Sequence, residues 1–271
     1  MFAWRLSNSE PIFEGLLPLS HIPTQQSITT CEISWVPRIP LWWNSPPFRF
    51  RGSALKSLPV VDESRLRQLL DPFGLNLEPA QVKQVLAYLH LLLRWNEKIN
   101  LTAIRDPEEC VTRHFGESLF IARHLELRGE LLDIGSGAGF PGLALKVVFP
   151  EVSVTLLEPV AKKRAFLKEA ARVCGFRNVA VRAERLENLA DTAPGPRFDF
   201  ATARAVGNLK SLVPLASQLL EPLGSLILWL THDQADGLAP ISANLQWAAP
   251  VPIPLSRAGV VCRGTLRPSA D

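Results

Sequence analysis

Short apolar segments alternate with helical ones after residue 129, and this alternation limits the possible folds more than any other feature of the chain. The predicted strands are 131–134, 152–157, 179–181, 198–201 and 225–230, and the predicted helices are 143–149, 161–173 and 209–220. Strands that alternate with helices form a parallel sheet that is covered on both faces. We therefore expect an α/β protein with a Rossmann-like, doubly wound and mostly parallel sheet, to which residues 260–262 add a last edge strand.

The segment before this sheet is predicted to be helical. Apolar residues at helical spacing follow Pro79, which suits the first turn of a helix. Asp106, a proline and two acids form a typical helix start, and that helix should continue to about His124. We therefore divide the chain into a leader of residues 1–60, a helical subdomain of residues 61–128 and an α/β domain of residues 129–271.

The leader has no regular period, and it holds 8 of the 23 prolines and 4 of the 7 tryptophans. Prolines at this density interrupt both helices and strands. Two interpretations stay open. The stretch is either a basic aromatic arm for RNA, in which Trp and Phe stack on bases, or a disordered leader or misassigned start; we favour the second.

Composition excludes several classes of protein. A chain with 47% hydrophobic and 20% charged residues is not disordered, and its apolar runs are far shorter than the roughly 18 residues of a membrane span. The first 19 residues carry acids where a signal peptide needs an apolar core. Four cysteines without a C-x-x-C pair predict neither a disulfide framework nor a zinc site. We expect a soluble, cytoplasmic protein without a metal, whose net charge of +3 permits an RNA partner.

Three glycines, Gly135, Gly137 and Gly139, lie between the first predicted strand of the sheet and the next helix, where a doubly wound sheet binds a nucleotide-like ligand. A dinucleotide fingerprint would place its third glycine at Phe140, so the spacing argues against a pyrophosphate site. Glu158 ends the next strand, close to the ~20-residue offset at which a carboxylate binds ribose hydroxyls. Together these residues predict an adenosine-type cofactor.

Further motifs follow the same chain order as those of a known family. They are Trp95-Asn96 with Asn100-Leu101-Thr102, Arg113-His114-Phe115-Gly116-Glu117-Ser118, Leu156-Leu157-Glu158 with Lys162-Lys163-Arg164, Arg182-Ala183-Glu184, and Phe198-Asp199 with Arg204-Ala205. With the glycine loop, they resemble the RsmG (GidB) family of bacterial small-subunit ribosomal RNA guanine-N7 methyltransferases. The resemblance covers about residues 62–230, and residues 1–60 have no counterpart. It implies a class I S-adenosylmethionine-dependent methyltransferase fold, so that residues 129–271 would be the methyltransferase domain.

The resemblance also implies an activity and a set of site residues. The activity is methylation of N7 of a guanine in 16S ribosomal RNA with S-adenosylmethionine, by a protein that we expect to be a monomer. Glu158 would hold the ribose, Ala183 and Glu184 would lie by the adenine, and Arg204 would position cofactor or substrate. The cofactor-binding set is then Gly135, Gly137, Gly139, Phe140, Glu158, Ala183, Glu184 and Arg204.

No residue is predicted to act as a catalytic acid or base. Attack by N7 releases no proton, so alignment of the reactants is sufficient. We interpret His114 as a hydrogen-bonded structural histidine, because it shares a helix face with Cys110 alone, and two such residues do not make a metal site.

Two departures from the family pattern leave alternatives open. Glu117 stands where the family usually has Asp, and the usual Lys-Gly pair is missing from the strand that ends at Leu230-Thr231. Because this lysine is missing, one alternative interpretation is a non-catalytic RNA-binding protein that retains the methyltransferase fold. A nicotinamide or flavin oxidoreductase is the second alternative, which the spacing at Phe140 disfavours. Without the family, Glu184 and Arg204 would be interpreted as a surface acid and a surface ion pair.

Overall fold

The computed structural model describes residues 61–191, 197–205, 207–241 and 244–268. Both interpretations of the leader concern residues outside this part of the chain. The strands are β1 Glu130–Ile134, β2 Ser153–Leu157, β3 Val179–Arg182, β4 Phe198–Arg204, β5 Leu220–Thr231, β6 Leu245–Trp247, β7 Val251–Pro252 and β8 Gly259–Leu266. The helices are α1 Glu63–Leu70, α2 Pro79–Asn96, α3 Pro107–Cys110, α4 Glu117–Leu119, α5 Gly142–Leu145, α6 Ala161–Val173, α7 Leu186–Ala190, α8 Leu209–Gln218 and α9 His232–Asp236.

One sheet organises the molecule, with the strand order β3-β2-β1-β4-β5-β8-β6. The first five strands of the chain pair in parallel, and β8 pairs antiparallel with β5, β6 and the short β7. The order reverses between β1 and β4, which is where open α/β sheets bind ligands beyond the carboxyl ends of their strands. The predicted Rossmann-like, doubly wound and mostly parallel fold is confirmed.

The prediction of an edge strand at residues 260–262 is wrong in its position. These residues belong to β8, which lies inside the sheet with β5 on one side and β6 and β7 on the other. Val260, Val261 and Cys262 are all buried. A continuous apolar run without alternation is typical of a strand that is covered on both faces, but such a run does not distinguish an inner strand from an edge strand.

Side chains that alternate along the strands form two cores, one on each face of the sheet. On the first face, Leu131 and Ile227 pack with α1, α2, α6 and the helices around residue 115. On the second face, Leu132 and Leu226 pack with α7, α8 and α9. The helices that precede β1 therefore share a hydrophobic core with the sheet. Among the described residues, no helix has both the length and the apolar character that a membrane crossing requires.

Several helix ends follow the local chemistry of the sequence. Pro79 occupies the first turn of α2, and Asp106 caps α3 by accepting a hydrogen bond from the Glu109 amide at 2.8 Å. α6 runs from Ala161 to Val173 as predicted, and Gly175 follows it with φ +69°. Only glycine adopts this left-handed conformation without a steric penalty.

Two predicted helices differ from those observed. The helix expected over 143–149 is regular only to Leu145, after which the amides of residues 146–148 bond to carbonyls three residues back, the tighter pattern common at helix ends. The helix expected from residue 107 to about 124 contains a π-helical segment, Val111–Gly116, between α3 and α4, and it ends as a 3₁₀ turn, Phe120–Arg123. Both changes concern which backbone groups pair, which the sequence pattern did not predict.

Candidate cofactor and nucleic-acid site

The glycine loop leaves the carboxyl end of β1 at the point where the strand order reverses. The Ser136 amide donates to the Leu157 carbonyl at 2.9 Å, which fastens the loop to β2. Gly135, Gly137 and Gly139 have φ values of +70°, +56° and +85°, so all three use a conformation that favours glycine. The loop is therefore a tight turn whose shape depends on these residues.

The three glycines have different surroundings. A Cβ atom on Gly135 would have no neighbour within 4 Å, and one on Gly137 would meet only the Gly135 carbonyl, at 3.8 Å. A Cβ atom on Gly139 would instead collide with the hydroxyl of Tyr88. Open space for a ligand is thus present beside Gly135 and Gly137, whereas Gly139 is required by packing as well as by its backbone conformation.

Glu158 is 3% exposed and holds the loop from beneath. One carboxylate oxygen accepts from the Gly137 amide at 2.9 Å, and the other accepts from the Val160 amide at 2.8 Å. Each carboxylate oxygen accepts more than one hydrogen bond, so both retain capacity for hydroxyl donors. The residue predicted to hold a ribose therefore lies against the glycine loop and also shapes it.

A cavity of about 330 Å³ opens at this edge of the sheet, at the lower end of the roughly 300–1,000 Å³ range of ligand pockets. Its lining comes from β1, β2, α7, α8 and the loops that follow the strands. Gly135 and Glu184 line it directly, and Ala183 is an exposed residue beside Glu184. Glu184 forms an ion pair with Arg182 at 2.7 Å. The structure thus brings Gly135, Glu158 and Glu184 to one region, as the sequence predicts.

Phe140 faces away from this cavity and toward the helices that precede β1. Its ring stacks on His114 with centroids 4.8 Å apart and on Tyr88 with centroids 5.4 Å apart. Tyr88 also donates to the Ala138 carbonyl at 2.7 Å, and burial raises the pKa of its hydroxyl well above the usual value. Contact between residue 140 and a ligand in the cavity would accordingly involve its backbone, because its side chain is committed to the aromatic cluster.

His114 is a structural histidine, as predicted. Its Nε2 atom lies 2.8 Å from the hydroxyl of Thr102, and burial together with the nearby charges of Arg204 and Arg113 lowers its pKa to about 3. Thr102 is itself held by Asn96, whose side-chain oxygen accepts from the amides of Leu101 and Thr102 at 2.9 and 3.0 Å. This arrangement explains the Trp-Asn and Asn-Leu-Thr motif as a local hydrogen-bonded support.

Arg204, at the carboxyl end of β4, has its partners within the chain. Its guanidinium donates to the Glu117 carboxylate at 2.7 Å, to the Arg113 carbonyl at 2.6 Å and to the Ser118 hydroxyl at 3.2 Å. Burial lowers the Arg204 pKa, and the charge of Glu117 opposes that effect. Arg204 therefore forms an ion pair with Glu117 within the chain, and this pair is mostly buried rather than at the surface.

Glu117 joins the helices to the edge of the sheet. Its second carboxylate oxygen pairs with Arg113 at 2.8 Å, and its backbone carbonyl accepts from the indole of Trp229 in β5 at 2.8 Å. The π-helical segment supplies the remaining contact. The Glu117 amide donates to the carbonyls of Thr112 and His114, which leaves the Arg113 carbonyl available to Arg204. The segment from Arg113 to Ser118 therefore supplies the hydrogen-bond acceptors that hold the Arg204 side chain.

Asp133, two residues before Gly135, is a buried acid at the end of β1. It is 1% exposed, one of its carboxylate oxygens accepts from Thr202 at 2.8 Å, and the other has no hydrogen-bond partner among the described residues. Burial raises its pKa to about 6. This oxygen lies against the backbone of Gly142, since a Cβ atom on Gly142 would come within 2.7 Å of it, and it has no contact with the cavity at the edge of the sheet. An acid just before a glycine loop is the sequence signal that marks this residue.

The position of the missing lysine has a local structural role in this chain. Thr231 caps α9, accepting from the Gln234 amide, and the Gln234 side chain accepts from the Thr231 amide. These two hydrogen bonds form a capping box at the start of α9, directly after β5. Among the described residues, no group of three His, Cys, Asp or Glu side chains is arranged to hold a metal ion.

The strand order, the glycine loop at the reversal point and the acid that ends β2 define a class I S-adenosylmethionine-dependent methyltransferase fold. Residues 81–247 match the family model described as rRNA small subunit methyltransferase G, GidB. Since that match covers more than half of the chain, the chain belongs to this family.

Individual relatives agree with the family model. A protein of Xylella fastidiosa strain M23 is 44% identical over 153 residues, which cover 56% of this chain and 70% of that protein. One from Syntrophotalea carbinolica is 35% identical over 205 residues, covering 76% of this chain and 94% of that protein. One from Halorhodospira halophila is 43% identical over 165 residues, covering 61% and 75%. All three carry the name ribosomal RNA small subunit methyltransferase G.

Proposed function

We propose that this chain is an S-adenosylmethionine-dependent methyltransferase that transfers a methyl group to N7 of a guanine in small-subunit ribosomal RNA. The cavity at the reversal of strand order, bounded by a glycine loop that Glu158 holds, is the observation that carries the proposal. Membership of the family supports the use of S-adenosylmethionine and the RNA substrate.

The residues of the cavity fit the cofactor. Gly135 and Gly137 leave room beside the loop, and Glu158 offers acceptors to ribose hydroxyls. Glu184 lines the cavity and Ala183 precedes it in the chain, so both would lie beside the adenine of a bound cofactor. We assign the cofactor site to Gly135, Gly137, Gly139, Phe140, Glu158, Ala183, Glu184 and Arg204, with Gly139, Phe140 and Arg204 acting by shaping the loop and its edge.

The chemistry requires alignment more than proton transfer. When bound, S-adenosylmethionine supplies an electrophilic methyl group on sulfur. Guanine N7 attacks with a lone pair that carries no proton, so a general base has nothing to remove. The chain's own contribution is to bind both partners in line and to exclude water, effects that by themselves lower barriers by several kcal/mol.

His114 does not take part as a base in this proposal. With a pKa of about 3 it stays neutral at pH 7, but it is buried and its Nε2 atom is already bound to Thr102. Its stacking on Phe140 instead supports the glycine loop from the side of the helices. We accordingly assign no catalytic residue and no metal.

The remaining features of the proposal concern organisation. We propose that residues 61–128 form a helical subdomain, that residues 129–271 form the methyltransferase domain, and that the protein acts as a monomer. Because ribosomal RNA is a cytoplasmic molecule in bacteria, the proposed site of action is the cytoplasm. A guanine in a helix must be unstacked before it reaches the cavity.

A methylation assay tests the function. Purified protein, S-adenosylmethionine with a labelled methyl group, and 16S ribosomal RNA from a strain that lacks its own enzyme should yield labelled N7-methylguanine. Isothermal calorimetry with S-adenosylmethionine and with NAD serves as the control, and only the former should bind. Cofactor binding without methylation would indicate the non-catalytic RNA-binding alternative, and NAD binding would indicate the oxidoreductase.

A further inference from the structure

The first turn of α6 carries an unusual set of charges. Lys162, Lys163 and Arg164 follow Val160, the N-cap residue, whose side chain makes no capping hydrogen bond, and no acid lies in that turn. Backbone N–H groups and the helix dipole make a helix N-terminus positive, so cations there are unfavourable. The neighbouring helix α7 has Glu187 in its first turn, the arrangement that the dipole favours. The charges on α6 therefore do not serve helix stability.

Arg164 has a structural partner, whereas the two lysines do not. Arg164 donates to the carbonyls of Glu158 and Pro159 at 3.0 and 2.6 Å. Within the described residues, neither Lys162 nor Lys163 forms an ion pair or a side-chain hydrogen bond, and Lys162 is exposed. Two ammonium groups thus lie at the positive end of α6, and no ion pair of the described residues involves either of them.

These lysines lie at the edge of the sheet that contains the cavity. α6 begins directly after β2, and Pro159, three residues before Lys162, lines the cavity. Arg185, an exposed residue in the turn between β3 and α7, lines the same cavity. We call Lys162, Lys163 and Arg185 the basic rim.

We propose that the basic rim binds phosphate groups of the RNA backbone and so holds the strand that delivers its base to the cavity. This inference rests on the proposed function and adds to it the surface by which the RNA is held. Phosphate oxygens satisfy an ammonium group without a fixed geometry, and they would neutralise the charges that α6 disfavours. Arg182 pairs with Glu184 at 2.7 Å, whereas Arg185 forms no ion pair with any residue that the structure describes.

The double substitution Lys162→Gln and Lys163→Gln tests the proposal because stability and binding should change in opposite directions. Removing two cations from the positive end of α6 should raise the melting temperature by about 1–3 °C. Affinity for 16S ribosomal RNA at roughly 0.1 M salt should fall by about 10–30-fold, and the slope of log affinity against log salt should decrease by about 1–1.5. Affinity for S-adenosylmethionine should stay unchanged, since neither lysine lines the cavity.

Lys168→Gln is the matched control, because Lys168 is exposed on the same helix but lies beyond its first turn. It should change neither the melting temperature nor the salt slope. If the double variant binds RNA with the wild-type salt slope, the basic rim does not bind phosphate and the inference is overturned. RNA binding is measured without turnover, so failure of wild-type methylation would count against the proposed function alone.

Discussion

At the scale of single residues, Arg204 affects stability as well as the edge of the site. Its side chain is 17% exposed and donates hydrogen bonds to three groups of the segment Arg113 to Ser118. Arg204→Ala leaves the buried Glu117 without one of its two cations and should lower the free energy of unfolding by about 3 kcal/mol. Arg204→Lys keeps a charge but loses the fork of donors, and about 1–2 kcal/mol should be lost.

The expected outcome for both variants is reduced methylation together with a lower melting temperature. Adding Glu117→Gln to Arg204→Ala should restore part of the lost stability, because the uncompensated buried charge is then removed. Thermal unfolding of the single and double variants measures this coupling. Additive effects of the two substitutions would show that the ion pair contributes nothing to stability.

Because the carboxyl group of Asp133 is buried, the free energy of unfolding should depend on pH. Burial raises the pKa of Asp133 in the folded protein to about 6 from an ordinary value of 3.8, so the folded protein binds the proton more tightly than the unfolded chain. Stability from this group is complete below pH 4, and it is lost as the pH rises through 6. Asp133→Asn removes the buried charge and should stabilise the protein at pH 8 by on the order of 2 kcal/mol, while at pH 4 the difference should vanish.

Chemical denaturation of wild type and Asp133→Asn at pH 4, 6 and 8 checks the sign. The comparison isolates Asp133, because the two proteins differ at no other residue. The Thr202 hydroxyl can still donate to the remaining carbonyl oxygen. A variant that is less stable than wild type at pH 8 would mean that the carboxylate has a partner in solution.

At the scale of elements, the glycine loop contains two kinds of glycine. Gly137 borders open space, whereas Gly139 packs against Tyr88. Gly137→Val places a branched side chain in the open space beside the loop, and it should abolish S-adenosylmethionine binding while the fold survives. The left-handed backbone at this residue adds a cost of about 1–2 kcal/mol. Gly139→Ala should instead destabilise the fold, because its Cβ atom collides with Tyr88.

Gly175→Val is the matched control for backbone strain. Gly175 has φ +69° and, like Gly135, no neighbour within 4 Å of a Cβ position, but it follows α6 at the end of the helix remote from the loop. The Gly175→Val variant should lose about as much stability as Gly137→Val, and calorimetry should show an unchanged affinity for the cofactor. Unchanged affinity in Gly137→Val would remove the cofactor from this side of the loop.

At the scale of the whole molecule, the described helices and the sheet share their cores. Val61 is buried in the first of these cores, together with Leu66 and Leu131. The family model begins only at residue 81. These observations support an expectation that residues 1–60 are not needed for the folded enzyme.

A protein that begins at Val61, after an added Met, should therefore unfold at the wild-type midpoint and methylate 16S ribosomal RNA at the wild-type rate. Calorimetric unfolding and the methylation assay test this directly. Loss of activity with retained stability would assign residues 1–60 a role in RNA binding, such as the basic aromatic arm. Loss of folding would show that they belong to the core.

Features that depend on neighbouring residues were predictable from the sequence alone. The alternation of apolar segments determined the parallel sheet, Asp106 and Gly175 determined two helix ends, and Glu158 was recognisable because it ends a strand at a fixed distance from the glycine loop. These features follow from hydrogen bonds and backbone conformations within a few residues, or from the constant geometry of a βαβ unit.

Other features depended on the tertiary structure. Arg204 and Glu117 are 87 residues apart, and their ion pair exists only because β4 ends beside the π-helical turn. The inner position of β8 depends on its pairing with β5, and the different surroundings of Gly137 and Gly139 depend on the location of Tyr88. A sequence pattern records which residues are apolar or charged, but the partner of a buried charge is determined by which surfaces the folded chain brings together.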